Sequence, residues 1–296
     1  MLFRSAGIKK HGDRAVKALF AEFCQLDEKS VFEAVDAKAL SREQKYAALR
    51  AINLIKEKRS GKLKGRTCAD GRSQRGQYTK EQTASPTIST DALMLSLIID
   101  SVEERDVATA DVVGAYLLAD MDDFVLVKLT GDAVDIMCKA NNKYESFVAV
   151  ENGTKVLYLR LLKALYGCVK SALLWYELFT STLQEMGFEL NPYDPCVANK
   201  IINGKQCTIG WYVDDNKISH VDPAVVTSII EKIEEKFDKM TVTRGKVHTF
   251  LGMTITLQKD RTVKIEMKEY VKDAIEDFGE DVSKRAATPA KWICSK

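Results

Sequence analysis

With 296 residues, the chain has room for one large or two modest domains. Hydrophobic residues make up 46% and charged residues 29%, which excludes a disordered chain and supplies a sizeable core. The net charge of +2 excludes attraction of nucleic acid by the whole surface, so any such affinity must come from local basic patches.

Residues 1–40 carry one short helical signal from Val16 to Leu26, with apolar positions at Val16, Leu19, Phe20 and Phe23. Ser41 and Gln44 have capping-box spacing, and Ala47, Ala48, Ile52 and Ile55 read as the apolar face of the helix that follows. Next comes the most basic stretch, Lys56, Lys58, Arg59, Lys62, Lys64, Arg66, Arg72 and Arg75, interleaved with Gly61, Gly65, Gly71 and Gly76. Glycines and cations together suit a hairpin or loop that approaches phosphates, and equally a solvated charged hairpin.

Ser85-Pro86 breaks the chain, and Ser89 or Thr90 caps a predicted helix over Ala92 to Val102. Asp106 to Val113 and Phe124 to Leu129 read as strands. Asn152-Gly153 lies between the strand-like runs Ser146 to Val150 and Lys155 to Leu159, and Asn203-Gly204 between Val197 to Ile202 and Cys207 to Val213. Both are hairpin signals. Ser171 to Met186 has helical spacing with Gly187 as its stop, and Pro223 to Met240 reads as an amphipathic helix. Phe250 to Leu257 and Thr262 to Met267 read as a strand pair before a helix at 268–278. Helices interleaved with hairpins predict an α+β fold with a mostly antiparallel sheet flanked by helices.

The seven cysteines (24, 68, 138, 168, 196, 207 and 294) contain no C-x-x-C pair, which argues against zinc and for a reducing compartment. No apolar run approaches the length of a membrane span, so no membrane partner is expected. Asn152-Gly153-Thr154 fits a glycosylation sequon but reads as a turn.

Tyr212-Val213-Asp214-Asp215 joins two strand-like runs, as a tight hairpin with both acids at its tip. Adjacent carboxylates repel unless a cation sits with them, although Asp is also a common turn residue. Asp111 ends another apolar strand, so the three acids can meet at one sheet edge. Three carboxylates there suit Mg²⁺, and two such ions serve phosphoryl transfer. No phosphate-binding G-x-x-x-x-G-K-[S/T] loop appears, and His11, His220 and His248 have no evident catalytic partner.

In order along the chain, Lys64-Gly65-Arg66-Thr67-Cys68-Ala69-Asp70-Gly71 with Gln74 resembles K-A-R-L-V-A-x-G-x-x-Q. Asp111-Val112 through Ala115-Tyr116-Leu117 resembles D-V-x-x-A-[FY]-L. Leu162 to Gly167 with Trp175-Tyr176 resembles L-x-x-A-L-Y-G-L-K-Q-x-P-R-x-W, and Tyr212 to Asp215 is Y-V-D-D. Phe250 to Ile255 resembles F-L-G-I-x-I, and Thr288-Pro289 a later T-P. From about Leu54 to Pro289 the chain therefore resembles the reverse transcriptase of copia-type LTR retrotransposons, part of a Pseudoviridae-like Pol polyprotein.

That resemblance implies a right-hand polymerase with fingers and palm over 54–240 and primer-grip-like strands and the start of a thumb over 241–296, after a partly helical extension at 1–53. It implies an RNA-directed DNA polymerase that extends a primer with dNTPs on an RNA or DNA template. Two Mg²⁺ ions, with Mn²⁺ as substitute, would be held by Asp111, Asp214 and Asp215, with the Val112 carbonyl as a further ligand. Lys58, Lys64, Arg66, Tyr116, Tyr166 and Gly167 would bind the dNTP, Tyr116 as the gate against a 2′-hydroxyl. Tyr212, Phe250, Leu251, Gly252 and Met253 would meet primer and template.

RNase H, integrase and Gag of the same element are the implied partners, in a cytoplasmic virus-like particle with nuclear delivery of the cDNA complex. RNase H lies outside the chain, which so reads as a fragment, a processed piece or a truncated copy. Where the family has Gln, Pro and Arg, this chain has Ser171, Leu173 and Leu174, and Thr67-Cys68 replaces Leu-Val. These departures leave a second reading, a decayed remnant that binds nucleic acid without polymerising. An RNA-directed RNA polymerase is a third, opposed by Tyr116.

Overall fold

The computed structural model describes residues 1–58 and 60–278. Arg59, Thr288-Pro289, Cys294 and the end of the thumb segment lie outside the described residues. The chain opens with β1 (Leu2–Phe3), α1 (Arg4–His11) and α2 (Asp13–Glu28). The predicted Val16 to Leu26 helix is thus present and longer, with Ala15, Leu19, Phe23 and Leu26 buried along one face.

After β2 (Phe32–Val35) comes α3 (Arg42–Ala47). The Ser41–Gln44 capping box closes in both directions, Gln44 N–H donating to Ser41 Oγ at 3.2 Å and Ser41 N–H to Gln44 Oε1 at 2.8 Å. The helical face expected through Ile52 and Ile55 is instead the strand β3 (Leu49–Glu57). Its inward positions, Leu49, Asn53 and Ile55, have a period of two, which the polar Asn53 masks in the sequence. β4 (Leu63–Ala69) completes the predicted basic hairpin.

α4 (Thr90–Val102) starts at the cap Ser89, whose Oγ accepts from Ala92 N–H at 3.2 Å. β5 (Asp106–Val112), β6 (Leu126–Thr130), α5 (Asp132–Ala140), β7 (Ala149–Glu151) and β8 (Thr154–Leu161) follow. α6 (Ser171–Glu185) precedes β9 (Glu189–Leu190), β10 (Val197–Ile202), β11 (Lys205–Tyr212) and β12 (Asp215–His220). The last elements are α7 (Pro223–Phe237), β13 (Met240–Arg244), β14 (Val247–Phe250), β15 (Met253–Leu257), β16 (Val263–Glu266) and α8 (Lys268–Phe278).

Three boundaries differ from expectation. The strand read from Ser146 to Val150 begins only at Ala149, because Asn142–Phe147 coil into a 3-10 helix capped by Asn141. α7 stops at Phe237 because Asp238 takes φ 68°, and Met240 begins a strand. The strand expected from Phe250 to Leu257 is folded back on itself, Phe250 pairing with Met253 around Leu251-Gly252, which take φ 51° and 74°.

Three sheets result, giving the α+β layout. The first runs β1-β3-β6-β8-β2, with β4 on β3 and β7 on β8, and only β3–β6 is parallel. α2 and α5 cover it, through Leu19, Phe23, Val134 and Met137. The second runs β13-β5-β12-β11-β10-β9 and is antiparallel throughout. Leu93 and Leu97 of α4, Trp175 and Phe179 of α6, and Ile229 and Ile233 of α7 share one core with its Ala108, Ile209, Trp211 and Ile218. The third, β14-β15-β16, joins that core through Phe250 and Ile255.

Residues 1–53 are stitched into the first sheet. β1 pairs with β3, β2 with β8, and the boundary read at residue 53 falls inside β3. α2 lies so close to β4 that a Cβ on Gly65 would sit 2.6 Å from the Ala18 carbonyl oxygen. Thr67 is fully buried, donating its N–H to Glu22 Oε1 and its hydroxyl to Asn53 Oδ1, both at 2.9 Å.

Candidate active site

The β11–β12 hairpin closes with Tyr212 paired to Asp215, so Val213 and Asp214 form a two-residue loop. Asp215 is therefore not at the tip, as the sequence suggested, but is the first residue of β12, directly opposite Asp111 on β5. Cross-strand partners point to the same face with their Cβ atoms about 5 Å apart. Burial pushes the Asp215 carboxyl up to about 6, helped by the charges of Asp214 and Asp111. Burial and Asp214 also raise Asp111, against the pull of Lys64 and Lys58. Crowded, partly desolvated carboxylates of this kind favour a bound hard cation. Among the described residues no three acidic, histidine or cysteine side chains close into a metal cage. Carboxylate oxygens are nonetheless the donor type that Mg²⁺ and Mn²⁺ take, and such ions keep part of their coordination for water and phosphates.

The turn is tied down from several sides. Trp175 Nε1–H donates to the Val213 carbonyl at 2.7 Å. The Asp214 carbonyl accepts from Val112 N–H at 3.0 Å and from Asn216 Nδ2–H at 2.9 Å. Trp175 stands in the sequence motif without an assigned part, and Asn216 gives no signal there beyond following the acid pair.

Asp214 and Asp215 open onto a cleft of about 340 Å³, lined also by Arg66, Ala115, Tyr116, Tyr166, Tyr212, Val213 and Leu251. The Tyr116 and Tyr166 rings lie 5.0 Å apart, and the Arg66 guanidinium sits 4.2 Å over Tyr166. Burial pushes the Tyr166 hydroxyl up to about 12 and raises Tyr116 as well, so both stay protonated. The structure thus gathers Arg66, Tyr116, Tyr166, Tyr212 and Leu251 around the acids.

The remaining predicted site residues lie outside the lining of this cleft. Lys58 and Lys64 act on Asp111 through their charge. Gly167 stands behind Tyr166 at φ 90°, where a Cβ would be 2.1 Å from the Ala69 oxygen. Ala69 N–H donates to the Tyr166 carbonyl at 2.7 Å, and Gln74 Oε1 accepts from Val169 N–H at 3.1 Å. The first sheet therefore holds the Tyr166–Gly167 turn in place. Phe250 is a core residue at 2% exposure, Met253 is partly buried against the same core, and Gly252 forms the hairpin turn that offers Leu251 to the cleft.

Two histidines have structural partners that the sequence did not reveal. His248 Nε2 meets the Gly245 carbonyl at 2.9 Å and its Nδ1 the Thr109 hydroxyl at 3.2 Å. His220 Nδ1 accepts from Asp222 N–H at 3.0 Å. A second cavity, about 420 Å³, lies between α4 and the β10–β11 hairpin, but Asp91 and Asp194 are its only acids and the Asp194 oxygens are occupied by Ser89 N–H and Cys196 N–H.

Residues 32–291 match the family described as "Reverse transcriptase (RNA-dependent DNA polymerase)". The chain belongs to that family, in agreement with the copia-type motifs in its sequence. It is 26% identical over 235 residues to the Transposon Ty1-DR4 Gag-Pol polyprotein of Saccharomyces cerevisiae, covering 76% of this chain and 13% of that protein. The Transposon TyH3 Gag-Pol polyprotein of Saccharomyces cerevisiae matches at the same identity over the same share of this chain and 12% of its own length. The chain thus spans about an eighth of the curated relatives it matches. Among the described residues no helix is long and apolar enough to cross a membrane.

Proposed function

We propose that this chain is an RNA-directed DNA polymerase domain of a copia-type retrotransposon, in which the first sheet is the fingers, the six-stranded sheet the palm, the β14–β15 hairpin the primer grip and α8 the start of the thumb. The observation that carries this reading is the Asp111–Asp215 cross-strand pair with Asp214 on the adjoining turn, opening onto a cleft walled by Arg66, Tyr116 and Tyr166. Asp111 and Asp214 would hold the metal ions, Asp215 supporting them and the Val112 carbonyl adding a ligand. Bound there, Mg²⁺ or Mn²⁺ would activate the primer 3′-hydroxyl and stabilise the leaving oxygen of the triphosphate. Arg66, steadied on the Tyr166 ring, offers its fork to phosphate oxygens, with Lys58 and Lys64 adding positive field. Tyr116, braced by Tyr166, would exclude a 2′-hydroxyl by fit. Leu251 would meet the primer end. Template contacts to the backbone would make binding salt-dependent and sequence-tolerant. Gag, RNase H and integrase of the same element are the proposed partners, in a cytoplasmic virus-like particle.

The alternative of a decayed remnant draws on the sequence departures, and their surroundings speak against it. The Thr67 hydroxyl donates to Asn53 Oδ1 at 2.9 Å, and the Ser171 hydroxyl donates to the Leu165 carbonyl at 2.7 Å. Random decay leaves buried polar groups without partners, whereas these are satisfied. The test is primer extension on an RNA template with an annealed DNA primer, dNTPs and Mg²⁺, beside Asp214→Asn. Extension by the native chain that is lost in the variant is the expected result. Salt-dependent binding without incorporation would overturn the polymerase reading in favour of the remnant.

A further inference from the structure

Val213 adopts φ 58°, a region where a β-branched residue is an outlier. Such a conformation persists only where the surroundings over-determine it. Here the surroundings can be named. The Trp175 indole donates to the Val213 carbonyl at 2.7 Å, and the next carbonyl, Asp214, accepts from the Asn216 amide at 2.9 Å. Both side chains are buried. The indole cannot follow a moving turn, since it stacks on Phe179 at 5.4 Å and meets Phe237 edge-on at 5.2 Å. The Asn216 amide also reaches the Ala110 carbonyl at 3.4 Å, which pins it to β5, the strand of Asp111. Its Oδ1 has no hydrogen-bond partner, so the two donor contacts alone fix its orientation.

We propose that Trp175 and Asn216 are positioning residues. By holding two consecutive carbonyls of the turn they keep Val213 in its strained conformation and so fix the Asp214 carboxylate beside Asp111 and Asp215, ready to bind a cation. This rests on the polymerase reading of the same site. Without the ties Val213 relaxes to negative φ, the loop changes type and Asp214 swings away from its partners. Glycine at 213 takes positive φ without strain, so a glycine turn needs no ties.

The test measures cation binding without turnover. The protein is mixed with a primer–template whose primer lacks a 3′-hydroxyl and with a dNTP, and Mn²⁺ is titrated by electron paramagnetic resonance. Asp214→Asn gives the baseline for a lost site, and thermal melting checks each fold. Trp175→Phe keeps the aromatic stack but removes the donor, and Asn216→Leu removes the amide at similar volume. Each is expected to weaken Mn²⁺ binding about five- to tenfold, the worth of one hydrogen bond. Combined with Val213→Gly, each loss is expected to shrink to about twofold or less, because the turn no longer depends on the tie.

A loss that is the same in both backgrounds would mean that the side chains act only by packing, and no loss would mean that they do not act at all; either overturns the proposal while the polymerase reading stands. A native chain that binds no more Mn²⁺ than Asp214→Asn overturns both. If Trp175→Phe does not fold, Asn216→Leu with and without Val213→Gly decides the question alone.

Discussion

Asn203-Gly204 and Val213-Asp214 close consecutive hairpins of one sheet, each as a two-residue loop. The first is assembled from residues that accept the required backbone, with φ 52° and 72°. A Cβ on Gly204 would meet open space, so nothing presses on that turn. The second places a β-branched valine at φ 58° and two acids within reach of a third. Its geometry comes from donors on α6, β5 and β12. Local preference and global structure agree at the first turn and conflict at the second, and the conflict coincides with the acids proposed to hold the metal ions.

Four experiments would break or sharpen that contrast. The largest effect is expected at the second turn, where Asp214→Asn should reduce primer extension roughly a thousandfold or more, because the cation's stabilisation of the transition state is worth several kcal/mol. Circular dichroism should stay unchanged, and residual extension near the native level would refute the role of the acid.

Next comes Gly167→Ala, at a third turn whose space is closed. The new Cβ, 2.1 Å from the Ala69 oxygen at φ 90°, should cost about 3 kcal/mol in urea unfolding and raise the KM for dNTP. A loss under about 1 kcal/mol would show that the fingers and the Tyr166 turn are not locked together.

The third test uses pH in metal-free protein. The folded Asp215 titrates at about 6, above its ordinary value of 3.8. Between those values the native state holds protons that the unfolded chain has released, so this group's contribution to stability falls as pH rises through the window. Asp215→Asn should therefore be more stable than the native chain at pH 7 by about 1–2 kcal/mol after allowance for solvent screening, with the difference fading towards pH 4. Equal denaturation midpoints at pH 7 would remove the repulsion argument.

The smallest effect is expected at the first turn. Gly204→Ala should cost about 1 kcal/mol from positive φ alone and leave extension unchanged. A change in extension there would show that the two hairpins are coupled.

Much of this site could be read from the chain, and the unread part has a common cause. Asp214-Asp215 stood out because apolar runs bracket it, and Ser41, Ser89, Asn152-Gly153 and Asn203-Gly204 are local signals that the structure obeys. The pairing of Asp215 with Asp111 joins strands distant in sequence, and register of that kind leaves no local trace. Asn53 concealed a strand because its polar side chain is satisfied only across the hairpin, by Thr67. α5 escaped notice because nine residues are too few for a clear period. β13 is a mostly exposed edge strand without a buried alternation, and Asp238 ends α7 in a conformation that aspartate rarely announces. The ties from Trp175 and Asn216 are likewise contacts between elements.

The close seat of α2 on β4 has an evolutionary consequence. With the Ala18 oxygen 2.6 Å from where a Cβ of residue 65 would stand, and Glu22 receiving the Thr67 amide, helix and hairpin form one heritable unit. Grafting residues 63–69 from a chain with alanine at position 65 would drive the helix off the sheet. Exchange of residues 13–69 as a block would carry its own spacing with it. Recombination between related elements should therefore leave viable crossovers outside this block, and chimaeras joined inside it should fail to fold.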